Sequence, residues 1–400
     1  MNDAKRQRRE EPFAEQSKSR DVWDEDPTSR ETIRSSWFQE PSTTLTTLLA
    51  CWHPGIPDEI LALQRQLVTV KRRLNRPGFV QARSASNPYE ELGRRTCHNL
   101  FLNRSALKLA NLDALLDFRL TMTTDGSGHF TFVDLCGAPG GFSEYLLRTC
   151  QSNRVLWVQG FGMSLLGKNE HGRGLEWKVG SETMRQGDCI LRYDVCEGHD
   201  GTGDIYVWDN TLFLQQVVQS VTDCDKVHLV VADGGFDAQR DSERQEELAQ
   251  KMIVCEVAAA IQLLRVGGHF VIKMFGFQTP TMRLIMAELS QLFEEVHVIK
   301  PIVSRPASAE RYLCGMHFRG QPPGWDGERW KSVALFGLAG NQKEAVNRAI
   351  DVFDRDLLLL NLKACFAILT LLDEEHKRDD RSVSGQVPVD LYLTAWRLDR

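Results

Sequence analysis

The apolar positions of this chain switch repeatedly between runs of about six and longer stretches with helical spacing. Residues 130–135 are apolar or β-branched up to Asp134, the pattern of a central parallel strand covered on both faces. Gly137, Gly140 and Gly141 follow, and then Phe142, Tyr145, Leu146 and Leu147 at the spacing of one helix face. Similar apolar runs predict strands over 155–160, 186–195, 226–235, 268–274 and 296–299, with a last strand entered after a 300–313 segment. Between them, 242–265 predicts a long helix with an inner stripe of Leu248, Met252, Cys255, Ala259 and Leu263. A capping box of Ser242 and Gln245 starts it and Gly267-Gly268 stops it. Strands alternating with helices predict an α/β fold, a doubly wound and mostly parallel sheet with helices on both faces.

Helical spacing also precedes and follows this core. Leu61, Leu63, Leu67, Val70 and Leu74 mark a helical segment over 45–74, closed by Pro77-Gly78. Residues 101–116 form an amphipathic helix that turns Leu107, Ala110, Ala114 and Leu115 inward. Residues 82–90, with Asn87-Pro88, read as a loop, and 166–182 as a mobile one. Residues 1–47 are polar and poor in aliphatic side chains, a partly disordered extension in which Trp23 and Trp37 dock locally. After a Pro-Pro-Gly-Trp linker at 322–325, helices are predicted over 345–375 and a short element over 387–398. Three regions follow: an extension at 1–47, an α/β domain at 48–320 and a helical appendage at 321–400.

A strand running through a glycine turn into a helix N-terminus is a cradle for a nucleotide-type cofactor. A dinucleotide site needs an acid at the end of the second strand, and GFGM at 160–163 offers none. The turn is also GAPGG, not GxGxxG, which argues further against NAD.

Composition changes the picture little. The chain has 400 residues, 42% of them hydrophobic, and a net charge of −6. Its ten cysteines contain no CxxC pair and lie mostly in apolar runs, so they are expected as free thiols in a reducing compartment, with neither disulfides nor zinc. The longest apolar run, 357–372, is broken by Asn361 and Lys363 and reads as a core helix, not a membrane span; no signal peptide is visible. Charge distribution is more telling. Between Arg65 and Lys108 stand 10 basic and 2 acidic residues, which predicts one face suited to an anion, against the bland alternative of a solvated helix. Lys5, Arg6, Arg8 and Arg9 form a basic cluster that reads equally as a nuclear import signal or a charged tail.

The stretch DLCGAPGGFSEYLL with GFGMSL resembles motif I and its sequel in S-adenosylmethionine-dependent methyltransferases. More narrowly, it resembles the cap-specific RNA 2′-O-ribose methyltransferases, relatives of the FtsJ-type enzymes. ARSASNPYE (82–90), FLNRSALKLANLD (101–113), GDI (203–205), VADGGF (231–236), GHFVIKM (268–274) and SRPASAER (304–311) match the family's motifs in its order. The resemblance spans about 83–313 and implies a Rossmann-like class I methyltransferase fold.

It further implies catalytic roles for Lys108, Asp233, Lys273 and Glu310. By it, S-adenosylmethionine is held by Asn103, Cys136, Gly137, Ala138, Pro139, Gly140, Gly141, Phe142, Asp204 and Ile205. Capped RNA is contacted by Lys71, Arg83, Arg244 and Ser308, the last standing where relatives often carry Asn. The implied activity is methyl transfer to the ribose 2′-hydroxyl of the first transcribed nucleotide of capped RNA, in the nucleus, with no metal and no membrane. Methylation of ribosomal or transfer RNA, and an inactive RNA-binding homologue, are the alternatives.

Physical chemistry gives the four residues distinct tasks. A ribose hydroxyl must lose its proton as it attacks, which calls for a base working near neutral pH. A lysine base has a reference pKa of about 10.4, roughly 3 units too high, and desolvation and a neighbouring cation lower it. Lys273 is therefore expected as the base and Lys108 as the cation, with Asp233 and Glu310 holding the amines. Two carboxylates crowded onto Lys273 would defeat that assignment.

Overall fold

The computed structural model describes residues 45–122, 128–152, 155–167, 176–179, 183–186, 188–222, 224, 226–235, 244–330, 340–374 and 389–398. Its centre is an eight-stranded sheet of order β3-β4-β2-β1-β5-β6-β8-β7. The strands are β1 (His129–Leu135), β2 (Trp157–Met163), β3 (Thr183–Gln186), β4 (Cys189–Val195), β5 (Val227–Ala232), β6 (Leu264–Met274), β7 (Phe293–Ile299) and β8 (Arg311–Phe318). From β4 to β6 the pairing is parallel. Strand β8 inserts antiparallel between β6 and β7, and β3 folds back on β4 as an antiparallel edge.

Alternation along each strand sorts side chains onto two faces. Val133, Leu135, Val230, Ala232, Phe270 and Ile272 enter one core. The helices on that side are α7 (Trp208–Thr222), α8 (Gln245–Leu263), α9 (Pro280–Leu292) and part of α11 (Gly340–Glu374). Phe130, Phe132, Leu229, Val231, Val271 and Tyr312 enter the other core. Helices α5 (Arg104–Leu115), α6 (Gly141–Ser152) and the short α12 (Val389–Ala395) cover it. Asp233 and Lys273 follow the parity of Val231 and Val271, so they face the α5 side. The doubly wound α/β architecture read from the pattern is thus present.

Several local expectations change. The 45–74 segment is two helices, α1 (Leu45–Ala50) and α2 (Ile56–Leu74), and Leu61 is exposed while Leu67, Val70 and Leu74 are buried. Residues 82–90 are not a loop: α3 (Phe79–Ala85) carries Arg83, and α4 (Glu90–Asn99) begins after a turn in which Asn87 accepts from the Tyr89 N–H. The second strand begins at Trp157 and takes in the whole of GFGM, and the third region is the β3–β4 hairpin.

Helix α8 ends at Leu263, and β6 starts at the next residue. Gly267-Gly268 therefore lies inside the strand, where Gly267 adopts φ +79° in place of a helix stop. Arg244 is the helix N-cap without a side-chain cap bond, Ser242 lies outside the described residues, and Leu248 is exposed. Residues 1–44, with Trp23, Trp37 and the basic cluster, also lie outside them.

The chain after residue 320 shares the core. Trp325 donates to Gln262, and Gly327, in the one-turn helix α10 (Gly327–Trp330), meets the Trp208 ring. Helix α11 lays Leu362, Cys365, Ile368, Leu369 and Leu372 on Leu67, Val70 and Leu74 of α2. Its earlier turns place Ala349, Ile350 and Phe353 in the main core. No described helix is long and apolar enough to cross a membrane.

Candidate active site

The carboxyl ends of β1, β2, β5 and β6 lie side by side, and the candidate residues gather there. Helix α5 crosses that end. Asn103 is its N-cap, its Oδ1 accepting from the Ser105 N–H at 2.9 Å. Ser105 and Lys108 lie one turn apart, so they project from the same side of α5. Ser105 Oγ donates to Asp233 Oδ2 at 2.7 Å, and Tyr312 OH donates to Asp233 Oδ1 at 2.6 Å. Lys273 Nζ donates to the Asp233 carbonyl at 2.7 Å and lies 3.1 Å from Oδ1. Lys108 Nζ donates to Glu310 Oε2 at 2.8 Å and stands 5.9 Å from the centre of the Tyr312 ring.

Four side chains from a helix, two strand ends and a strand start therefore converge, with their charged atoms largely withdrawn from solvent. The carboxylates are divided, one ion-paired with each amine. Burial by itself lifts the Asp233 carboxyl, but the Lys273 and Lys108 ammoniums and two hydroxyl donors overcome it and bring it down to about 2. Burial opposes charge on Lys108, yet the Glu310 and Asp233 carboxylates outweigh it and raise its value. Glu310 is lowered: burial works against its charge, and Lys108 and Lys273 prevail.

Beside this cluster, the glycine turn leaves β1. Gly137 and Gly141 have no room for a side chain. A Cβ at Gly137 would lie 1.9 Å from Asp134 Oδ1, and one at Gly141 would lie 2.2 Å from Asn103 Oδ1. Asp134 is fully buried; its Oδ2 accepts from the Ser143 N–H and hydroxyl, while Oδ1 has no protein partner. Burial pushes its carboxyl up to about 7. On the far side, the loop after β4 folds back. The Leu166 N–H donates to the Thr202 carbonyl at 2.8 Å, and a Cβ at Gly203 would meet the Ser164 carbonyl. Asp204, half-buried, is thereby set against the end of β2, with one oxygen accepting from the Tyr206 N–H, and Ile205 is buried.

A backbone cradle at a helix N-terminus, flanked by Asn103 and by Asp204 with Ile205, fits an amino-acid-bearing nucleoside. Asn103 lies against Gly141 of the 136–142 turn, and the turn that carries Asp204 and Ile205 lies against Ser164 just after β2; these are the residues that would hold S-adenosylmethionine.

The expected RNA-contacting residues scatter more widely. Arg83 lies over the Phe79 ring, and burial with the Arg305 and Arg104 cations lowers its value, so three guanidiniums share this region with Glu90 as the carboxylate between them. Lys71, on the last turn of α2, is close enough to Lys300 to act on its charge. Ser308 turns inward, its Oγ accepting from the Glu310 N–H at 3.0 Å. Arg244 is exposed and pairs with Glu247 of its own helix, apart from this group.

Ser105 and Tyr312 escaped the sequence reading. The available signals were the i, i+3 relation of Ser105 to Lys108 and the position of Tyr312 two residues past Glu310.

The model of a family described as FtsJ-like methyltransferase matches residues 101–318. A cap-specific mRNA (nucleoside-2′-O-)-methyltransferase 1 from Danio rerio is 32% identical over 363 residues, which cover 84% of this chain and 42% of that protein. The proteins of that name from Mus musculus and Homo sapiens are 36% and 32% identical, over 58% and 73% of this chain and 27% and 36% of their own lengths. The chain thus spans less than half the length of these relatives.

Proposed function

The chain belongs to the FtsJ-like methyltransferase family, and from that premise we propose that it methylates the ribose 2′-oxygen of the first transcribed nucleotide of capped RNA. The observation that carries this reading is the divided cluster, with Lys273 on Asp233 at 3.1 Å and Lys108 on Glu310 at 2.8 Å, beside the glycine cradle. The names of the relatives supply the acceptor, a capped mRNA.

S-adenosylmethionine, held by the cradle residues, supplies a methyl group already activated as a sulfonium. Lys273 is the base. As a neutral amine it has two N–H bonds and one lone pair. One N–H is taken by the Asp233 carbonyl, and Asp233 Oδ1 stands 3.1 Å from Nζ. The lone pair is left to accept the 2′-hydroxyl proton at Nζ. Asp233, held as a carboxylate by Ser105 and Tyr312, orients that amine. Lys108 keeps its charge because Glu310 and Asp233 stabilise it, so it orients the ribose oxygen. The arginines around Arg83 suit the phosphates of the RNA.

The test uses one transcript in capped and uncapped forms, labelled methyl donor, and nuclease mapping of the product. Label on the first transcribed nucleotide of the capped form alone is expected. Equal label on the uncapped form, or label at internal positions, overturns the reading.

A further inference from the structure

A third buried lysine directly follows a strand near this cluster, and the chemistry above leaves it unused. Lys300 follows β7 and is 1% exposed. Its Nζ donates to three oxygens of the turn that leads into β8: Ser304 Oγ at 3.2 Å, the Ser308 carbonyl at 2.9 Å and the Glu310 carbonyl at 2.7 Å. The same turn is gripped from the other side by Asn361, 2% exposed on α11, whose Nδ2 donates to the Ser308 carbonyl at 3.1 Å and to the Pro306 carbonyl. Ser308 closes the arrangement by accepting from the Glu310 N–H. Glu310 then reaches Lys108.

We infer that Lys300 and Asn361 are positioning residues for the methyl-transfer site, clamping residues 304–310 so that the Glu310 carboxylate stays against Lys108. The inference rests on the reading above for its kinetic consequence, though not for the clamp itself. It gives the helix after residue 340 a share in the chemistry: α11 reaches Lys108 through Asn361, the Ser308 carbonyl and Glu310.

The clamp is sensitive to protonation. Three acceptors ask for three N–H bonds, which the ammonium has and the neutral amine lacks. Burial drives the Lys300 amine down to about 7; Arg311 beside the turn, Lys108 on α5 and Lys71 on α2 push the same way, and Glu310 opposes them. As pH rises through that value one acceptor loses its donor and the turn loosens.

The experiment uses full-length Lys300→Met and Asn361→Leu. Thermal unfolding establishes that each is folded, carbon-13 NMR of labelled lysine follows the Lys108 titration, and steady-state kinetics follow methyl transfer. Both variants are expected to lower the Lys108 midpoint, because Glu310 no longer abuts it. They are expected to cut kcat by 10-fold to about 10²-fold with the KM for the methyl donor unchanged. A lysine signal titrating near 7 is expected in the parent protein and absent from Lys300→Met. If Lys300→Met does not fold, Asn361→Leu alone decides. An unmoved Lys108 midpoint in a folded variant overturns the inference, whatever the activity. A shifted midpoint in a protein that methylates no RNA upholds the clamp and removes the function instead.

Discussion

Removing the Asp354 carboxylate is expected to destabilise the protein by about 3–5 kcal/mol, the range for breaking one partner of a buried ion pair. Asp354, on α11, is 1% exposed, and its two oxygens accept from Arg311 Nη1 and Gln278 Nε2. Arg311 has little else to turn to. Its Nε donates to the Ala309 carbonyl at 3.2 Å, and its guanidinium lies 5.4 Å from the centres of both the Phe277 and Phe353 rings. Asp354→Ala strands that cation in an aromatic slot. Ring contacts of about 1–2 kcal/mol soften the loss without cancelling it, which favours the lower end of the range.

The pair itself is not a net electrostatic gain. Burial raises the Asp354 carboxyl above its usual value even with Arg311 beside it. Replacing both residues with apolar ones, Asp354→Leu with Arg311→Met, is therefore expected to cost no more than about 1–2 kcal/mol relative to the parent. Urea unfolding of the parent, Asp354→Ala and the double variant, followed by intrinsic fluorescence with linear extrapolation, measures both quantities. A loss under about 1 kcal/mol for Asp354→Ala, or a double variant weaker than the single one, refutes the reasoning.

Three further outcomes are expected. Lys273→Met should reduce methyl transfer by about 10²–10⁴-fold, the usual share of a general base, while calorimetric affinity for the donor is retained; an active variant removes the proposed mechanism. Gly141→Ala drives a methyl group to 2.2 Å from Asn103 Oδ1 and 3.1 Å from Ser105 Cβ, so donor affinity should fall by about tenfold, and an unchanged calorimetric constant would show that the turn gives way freely. His269 is held at about 3, chiefly by burial and then by His317 and Arg119. Its folded value lies below the unfolded one near 6.5, so stability is complete above about 6.5 and is lost as pH falls towards 3. Roughly 2 kcal/mol should have gone by pH 5, and the slope should flatten in His269→Gln; parallel slopes in urea unfolding at the two pH values would contradict this.

The sheet was legible because strands covered on both faces are rich in apolar side chains, as the 130–133, 229–232 and 270–272 runs of β1, β5 and β6 are. Asp233 and Lys273 stood out for the same reason, as charges ending such runs. Lys300 also directly follows a strand, β7, but it carried no known motif role to draw notice. Hydroxyl groups give no such signal, because Ser105 and Tyr312 are unremarkable in sequence and gain meaning only through the Asp233 oxygens they reach. Boundaries went wrong where tertiary contact overrode local preference. Asn87-Pro88 suggested a loop on both sides, yet Ala82 in α3 is buried beside Leu362 and its neighbours, and packing holds the helix. The helix stop read at Gly267-Gly268 failed because β5 recruits Leu264 as a partner of Val227 immediately after α8. The packing of α11 on α2 joins stretches about 300 residues apart, and no local pattern reports such a pairing.

That pairing bears on how the polypeptide is made. Leu67, Val70 and Leu74 share their buried cluster with Leu362, Cys365, Ile368, Leu369 and Leu372. A ribosome adding about 5–20 residues per second needs roughly 15–60 s to travel from the first set to the second. For that interval the nascent α2 carries an uncovered oily stripe.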